Sequence, residues 1–395
     1  MATVMEQGAS EAVPGVAEAA AAPAAPAGIA MPWGAIGLLT CAYLVSFLDR
    51  QILSLLVEPI KADLKLSDTQ LGLIQGIAFG LVFTLAGNPM GWLADRNARR
   101  KLLAVAITLW SGLTACCGFA GNATQLLIAR TGVALGEAAL GPSAAPLMRE
   151  IVPPGRIVTA LSVYSLGIPL GSGLALLLGA VILPWVTALG GIAVPGLGVL
   201  APWQATFLIV AMPGFVVALM MLGIKEPPRQ PAGTPQGAAS IPEAARFFAR
   251  HWRTFVGFGL PGITAMFLTF GVGFWIPAAL GRTYGLGQTE VAAYLKIWGL
   301  MTVTLGTVGT LAGGVIADRM RRARDDGYIL LAMLSLVLIG ISFGGFLLMP
   351  SPALALLWLT PAALATALPP VAATAAAMEI IPRQMRSLLF AAWML

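Results

Sequence analysis

Five ionisable side chains stand inside long apolar stretches of this sequence: Asp49, Arg50, Arg130, Glu137 and Lys296. Each costs roughly 2.5–3.5 kcal/mol to place in hydrocarbon, so the expected setting is a polar cavity with a partner. Such residues can brace helices, exchange a proton or hold a charged headgroup. Asp49 lies about 12 Å short of the end of its stretch, and Arg130 about 9 Å in from the same face, so the two are expected to meet. Glu137, two turns past Arg130 and on nearly the same side, lies about 10 Å deeper and is expected to face a central cavity with little company.

A carboxylate beside an arginine stays ionised, whereas one isolated in a dry cavity takes up a proton more easily. Glu137 or Asp49 is therefore the expected proton-exchange group. Arg50 and Arg130 are placed to hold an anionic headgroup through their forked donors. The competing reading is a permanent Asp49–Arg130 brace, with Arg50 and Lys296 snorkelling to the interface. Lys296, two turns inside the end of its stretch, fits that second reading better.

Other chemistry lacks its residues. Cys41, Cys116 and Cys117 sit in apolar stretches without ligand spacing, and His251 is the single histidine, beside Arg250, Trp252 and Arg253. Neither a metal nor a cofactor is expected. No G-x-x-x-x-G-K-[ST] phosphate loop and no nucleophile–base constellation is present, which argues against an ATP-driven pump and against an enzyme.

The elements that must position the charges follow from composition. Of 395 residues, 58% are hydrophobic and 10% charged, too few charges to coat a soluble surface of this size. Apolar windows long enough to cross a bilayer fall at 32–57, 70–94, 101–119, 124–148, 156–183, 203–223, 254–281, 289–317, 327–349 and 352–378. An eleventh begins near Ser387, and the chain stops inside it at Leu395, so truncation of the last helices is expected. Trp33, Trp203, Trp275 and Trp358 are expected at the membrane interfaces. Residues 1–30, rich in Ala and Pro, read as a disordered tail.

Most of the 23 lysines and arginines collect in alternate connections, at Arg96–Lys101, Arg149 and Arg156, Lys225–Arg253, Arg319–Arg324, and Arg383 and Arg386. Basic loops stay in the cytoplasm, which places the N-terminus there too. The net charge of +6 is thus a topology signal, and no basic face with aromatic readers suggests nucleic acid.

The chain also repeats itself. Gly91-Trp92-Leu93-Ala94-Asp95-Arg96 closes the second window and Gly314-Val315-Ile316-Ala317-Asp318-Arg319 the eighth. Glu150-Ile151-Val152-Pro153 returns as Glu379-Ile380-Ile381-Pro382 at nearly the same offset. Six windows per unit implies parallel repeats about an axis along the membrane normal. The boundaries expected are a tail at 1–30, a six-helix half at 31–223, a cytoplasmic linker at 224–253, and a second half at 254–395 with four complete helices and the start of a fifth.

Gly91-x-x-x-Asp95-Arg96-x-x-Arg99-Arg100 resembles the loop signature of the major facilitator superfamily, and Gly314–Arg322 its degraded second copy. Phe47-Leu48-Asp49-Arg50-Gln51, Leu66-Ser67-Asp68-Thr69-Gln70-Leu71-Gly72, Arg130–Ala138 and Lys225-Glu226-Pro227-Pro228-Arg229 are similar to its spinster branch. The resemblance implies an all-α bundle of two pseudo-repeated six-helix halves in the plasma membrane, the inner membrane of a bacterium. It implies alternating access, with membrane lipids, protons and a small lysolipid-like substrate as partners. It also implies a latch of Gly91, Asp95, Arg96 and Arg99, with Gly314, Asp318 and Arg319 as its mirror. In that latch Asp95 meets the N-terminus of span eleven and Asp318 meets span five near Thr159, while Arg100 and Lys101 serve topology alone. The alternatives are an exporter of drugs or organic ions, and a sensor or scaffold that binds lipid without moving it.

Overall fold

A computed structural model describes residues 31–153, 156–194, 198–226, 241–369 and 372. The windows become helices in the expected order. The first three spans are Trp33–Leu55, Asp68–Arg96 and Arg99–Cys117. The fourth has two pieces, Ala123–Glu137 and Leu140–Ile151, as does the fifth, Ile157–Ser165 and Gly167–Ala188. The sixth to ninth are Pro202–Met221, Trp252–Tyr284, Gln288–Ala323 and Gly327–Gly345. The tenth opens with Pro352–Trp358 and Thr360–Ala365. Among the described residues 8 helices are long and apolar enough to cross a membrane, and the chain is a multi-pass membrane protein. The echo at Glu379 and the whole of span eleven lie outside the described residues.

Two interruptions shape the charged interior. Span four breaks at Ala138–Ala139, immediately after Glu137. Pro142 has no N–H to return to the Ala138 carbonyl, and Pro146 lies within the next turns, so the helix restarts on a new axis. Span two carries a π-helical turn at Leu73–Ala78 between its α-helical parts. Its start is fixed by a reciprocal capping box between Ser67 and Gln70.

The first span packs on the fifth and the third on the sixth, while the fifth crosses the eighth to join early and late spans. At that crossing Gly173 and Gly299 face one another. A Cβ added to Gly173 would lie 2.6 Å from the Gly299 carbonyl oxygen, and one on Gly299 would lie 2.8 Å from that of Gly173. Only hydrogen fits there, which is how small residues let membrane helices approach. The outward faces of the second and eighth spans expose Leu81, Leu85, Val308 and Leu311, a surface suited to lipid rather than water.

One expectation is corrected. Trp203 is 1% exposed and donates its indole N–H to Asp63 at 2.8 Å, so it is a buried anchor and not a lipid-interface residue. Within the connection after span six, Ile241–Arg250 is an amphipathic helix leading into span seven.

Candidate functional site

The first span sets the site. Tyr43, Ser46 and Arg50 recur at helical spacing on one side of it, while Asp49 points about 100° away. Ser46 and Arg50, one turn apart, both reach Glu137: the hydroxyl donates to Oε2 at 2.9 Å and the guanidinium Nε to the same oxygen at 2.5 Å. Glu137 is 1% exposed, and the Arg50 side chain 18%. The Arg50 guanidinium also lies 5.1, 5.2 and 4.5 Å from the ring centres of Phe47, Phe79 and Phe83, an aromatic cage for a cation. Tyr43 stacks on Tyr164 of span five at 4.5 Å, and the edge of Phe47 meets Tyr43.

Asp49 and Arg130 are both fully buried. Asp49 Oδ2 accepts from Thr114 of span three at 3.2 Å, and Oδ1 has no protein partner. Arg130 donates Nη1 to the main-chain carbonyl of Asp49 at 3.3 Å and Nη2 to the Gln75 side chain at 2.6 Å. Gln75 in turn donates its amide to the Arg50 carbonyl at 3.0 Å.

The structure therefore gathers Asp49, Arg50, Arg130 and Glu137 but pairs them differently from the depth argument. Glu137 has close company, and no ion pair joins Asp49 to Arg130 among the described residues. Depth along a helix fixes height and not direction. Adjacent residues diverge in azimuth, and the long Arg50 side chain covers its offset in height from Glu137.

The signature after span two forms a second cluster. Arg99 is buried and pairs with Glu150, and Asp95, 75% exposed, lies 3.8 Å from the same guanidinium. Arg96 lies over the Trp92 ring at 3.9 Å. Glu226 accepts the main-chain N–H groups of Arg99 and Arg100 at 2.9 and 3.3 Å, an anion at the N-terminus of span three. Arg100 donates to the carbonyls of Leu222 and Ile224 at 3.3 and 3.2 Å, so it caps the end of span six and does more than set topology.

A Cβ on Gly91 would meet Pro142 at an ordinary 3.8 Å, and one on Gly314 would meet nothing within 4 Å, so neither glycine marks a tight crossing here. Asp318 and Arg319 are exposed, and no hydrogen bond joins Asp318 to Thr159 among the described residues. The expected partner of Asp95, span eleven, lies outside the described residues.

On the opposite face, Arg282 at the end of span seven crosses to the first spans. It donates two parallel hydrogen bonds to Asp68, both at 2.8 Å, and meets Glu58 at 2.6 Å. Lys61 adds a contact to Asp68 at 2.5 Å. This cluster joins early and late spans at that face.

Comparison with known proteins fits this geometry. Residues 39–395 match the family model described as Major Facilitator Superfamily. The chain belongs to the major facilitator superfamily. It is 32% identical over 313 residues to an MFS-type efflux pump of Mycolicibacterium smegmatis, covering 78% of this chain and 67% of that protein. It is 25% identical to the sphingosine-1-phosphate transporter SPNS2 of Danio rerio, covering 78% and 60%. Among solved structures, a bacterial homologue of the human lysosomal transporter spinster, inward-facing and unoccupied, superposes with a TM-score of 0.72 at 27% identity, covering 92% of this chain and 79% of that one. A D-xylose–proton symporter at 15% identity and TM-score 0.67 shares the fold. This member is spinster-like, and its relatives are transporters rather than enzymes. It spans about 60% of the length of its spinster-type relatives.

Sequence reasoning missed Gln75, Ser46 and Thr114, the neutral residues that complete the facilitator's charged core. A signal for Gln75 was present: it is an amide in an apolar window, with Gly72, Gly76 and Gly80 around it.

Proposed function

We propose that this chain is the membrane body of a secondary transporter that moves an amphipathic, lipid-like organic anion or zwitterion by alternating access coupled to protons. The observation that carries the reading is the Arg50–Glu137 pair, set with Asp49 and Arg130 among apolar helices. Protonation of Glu137 cancels one half of that pair and frees the caged Arg50 guanidinium for an anionic headgroup. Deprotonation restores the pair and expels the headgroup. Asp49, with one carboxylate oxygen free of protein partners, is the second group able to carry a proton. The aromatic side chains around Arg50 give an acyl or sphingoid chain an apolar wall.

The basic loops support a cytoplasmic Asp95 face, at a plasma membrane, with the Arg282 face outside. Arg282, Glu58 and Asp68 then form the outer closure, and the Gly173–Gly299 crossing is the seam on which the halves 31–223 and 254–395 rock. The segment 224–253 links the two halves. Gly91, Asp95, Arg96 and Arg99, and in the second half Gly314, Asp318 and Arg319, serve the opposite, cytoplasmic closure.

The test is pH-dependent uptake of a fluorescent lysolipid phosphate into proteoliposomes, with counterflow of labelled substrate. Asp49→Asn and Glu137→Gln are expected to flatten the pH dependence. Wild-type pH dependence in both variants sinks the coupling, and binding without counterflow turns the reading to a sensor. Similarity to an efflux pump favours one second reading, export of drugs or organic ions, which predicts uptake of such compounds into inverted vesicles in place of the lysolipid.

A further inference from the structure

Among the described residues Gln75 is the one residue of span two that hydrogen-bonds into the charged core, and it does so from within a distorted turn of the helix. The π turn at Leu73–Ala78 inserts a residue into the helical register and rotates the turns beyond it, a distortion found mostly at functional sites. Leu73 and Ile77 on either side face outward at 46% and 68% exposure, while the Gln75 amide turns inward. Its orientation is fixed by chemistry. A guanidinium only donates and a main-chain carbonyl only accepts, so Oε1 must face Arg130 and Nε2 must face the Arg50 carbonyl. A single amide thus ties spans one, two and four together.

The consequence lies in what Arg130 does not hold. Its guanidinium is buried, yet the acceptors it contacts, the Gln75 amide and the Asp49 main-chain carbonyl, are both neutral. The Asp49 carboxylate turns instead to Thr114, with Oδ1 unpartnered. A guanidinium and a carboxyl group lie on spans four and one, and a neutral amide occupies a place on the guanidinium that the carboxyl could take once ionised.

We propose that Gln75 is a positioning residue that sets the proton affinity of Asp49 by competing for Arg130. While Asp49 is protonated, Arg130 rests on Gln75. When Asp49 loses its proton, Arg130 exchanges the amide for the carboxylate, and the release of Gln75 loosens the link between the π turn and span one. The other ionisable groups facing Asp49 are Glu137 of span four, which is engaged by Arg50, and Cys117 of span three. Tyr43 and the Tyr164 of span five lie on the Arg50 side.

This rests on the proton-coupled reading above, and the experiment separates the two. The carboxylic C=O stretch of Asp49, identified as the infrared band lost in Asp49→Asn, is titrated in reconstituted membranes without substrate, beside the pH profile of lysolipid uptake. Gln75→Leu leaves Arg130 to the carboxylate, which favours the ionised form, and moves both midpoints to lower pH by about one unit. Gln75→Glu, nearly isosteric, gives Arg130 an anion of its own and moves both midpoints to higher pH by about as much. Opposite shifts from two substitutions at one position are not the product of lost packing.

If Gln75→Leu fails to fold, the upward shift in Gln75→Glu decides alone. Midpoints that stay with wild type in the folded Gln75 variants, while Asp49→Asn flattens uptake, overturn the role of Gln75 and spare the coupling. The absence of a titrating Asp49 band together with a flat uptake profile overturns both.

Discussion

Replacing Arg282 with alanine cuts the proposed outer closure at the residue that joins span seven to Glu58 and Asp68. The guanidinium forks onto Asp68 with two bonds of 2.8 Å and also reaches Glu58. The three side chains are 42%, 46% and 53% exposed, so water screens them and each pair contributes about 0.2–1 kcal/mol. The forked geometry puts Asp68 at the upper end of that range. Together the pairs stabilise the closed outer face by about 1–2 kcal/mol, a shift of about 5–30-fold in the balance of conformations.

Spin labels at exposed Ala62 and Thr289, on a background lacking the native cysteines, flank the closure and report its opening as a distance distribution. Arg282→Ala is expected to move population to the longer distance by that factor, and Arg282→Lys, which keeps the charge without the fork, by less. Raising ionic strength should move wild type in the same direction, because the screening length is about 10 Å at 0.1 M and shortens with added salt. A distribution unchanged by both the alanine and the salt refutes an electrostatic closure at this face.

Other expectations concern the seam, the cytoplasmic cluster and the coupling. Gly299→Leu puts a branched side chain where a Cβ already lies 2.8 Å from the Gly173 carbonyl oxygen, and transport is expected to fall to background with the protein still in the membrane. Full uptake by this variant means that the crossing opens more easily than its packing implies. Arg99→Ala removes the partner of Glu150, a carboxylate that stays hydrated, so losing the pair costs about 0.2–1 kcal/mol, which thermal unfolding in detergent reads as a slightly lowered midpoint, with Arg99→Lys recovering part of it. Glu137→Gln is expected to keep the Ser46 hydrogen bond while losing the ion pair, so that its pH profile flattens with little loss of folded protein.

Much of this membrane protein is legible in order along the chain. Bilayer thickness fixes how long an apolar window must be, and the first nine windows differ from the helices mainly by a few terminal residues, while the tenth runs past the described residues. Buried charge is also visible, because Asp49, Arg130 and Glu137 have no other reason to stand in apolar windows. Their partners were not legible. Whether Glu137 meets Arg50 depends on the turn of span one about its axis and on the break after residue 137, where prolines further along leave a carbonyl unpaired. Whether Arg130 meets Asp49 depends on a π turn in a third helix.

Many membrane crossings, the internal repeat, the resemblance to the major facilitators and the ionisable groups at depth are all readable from the residues in order. These properties rest on hydrophobicity and spacing, which act locally. Only packing in three dimensions shows that Arg50 holds Glu137, that Arg130 donates to Gln75 while the Asp49 carboxyl turns to Thr114, and that Arg282 crosses to Glu58 and Asp68. Each of these is a contact between helices whose rotation and breaks are settled only when several spans pack together.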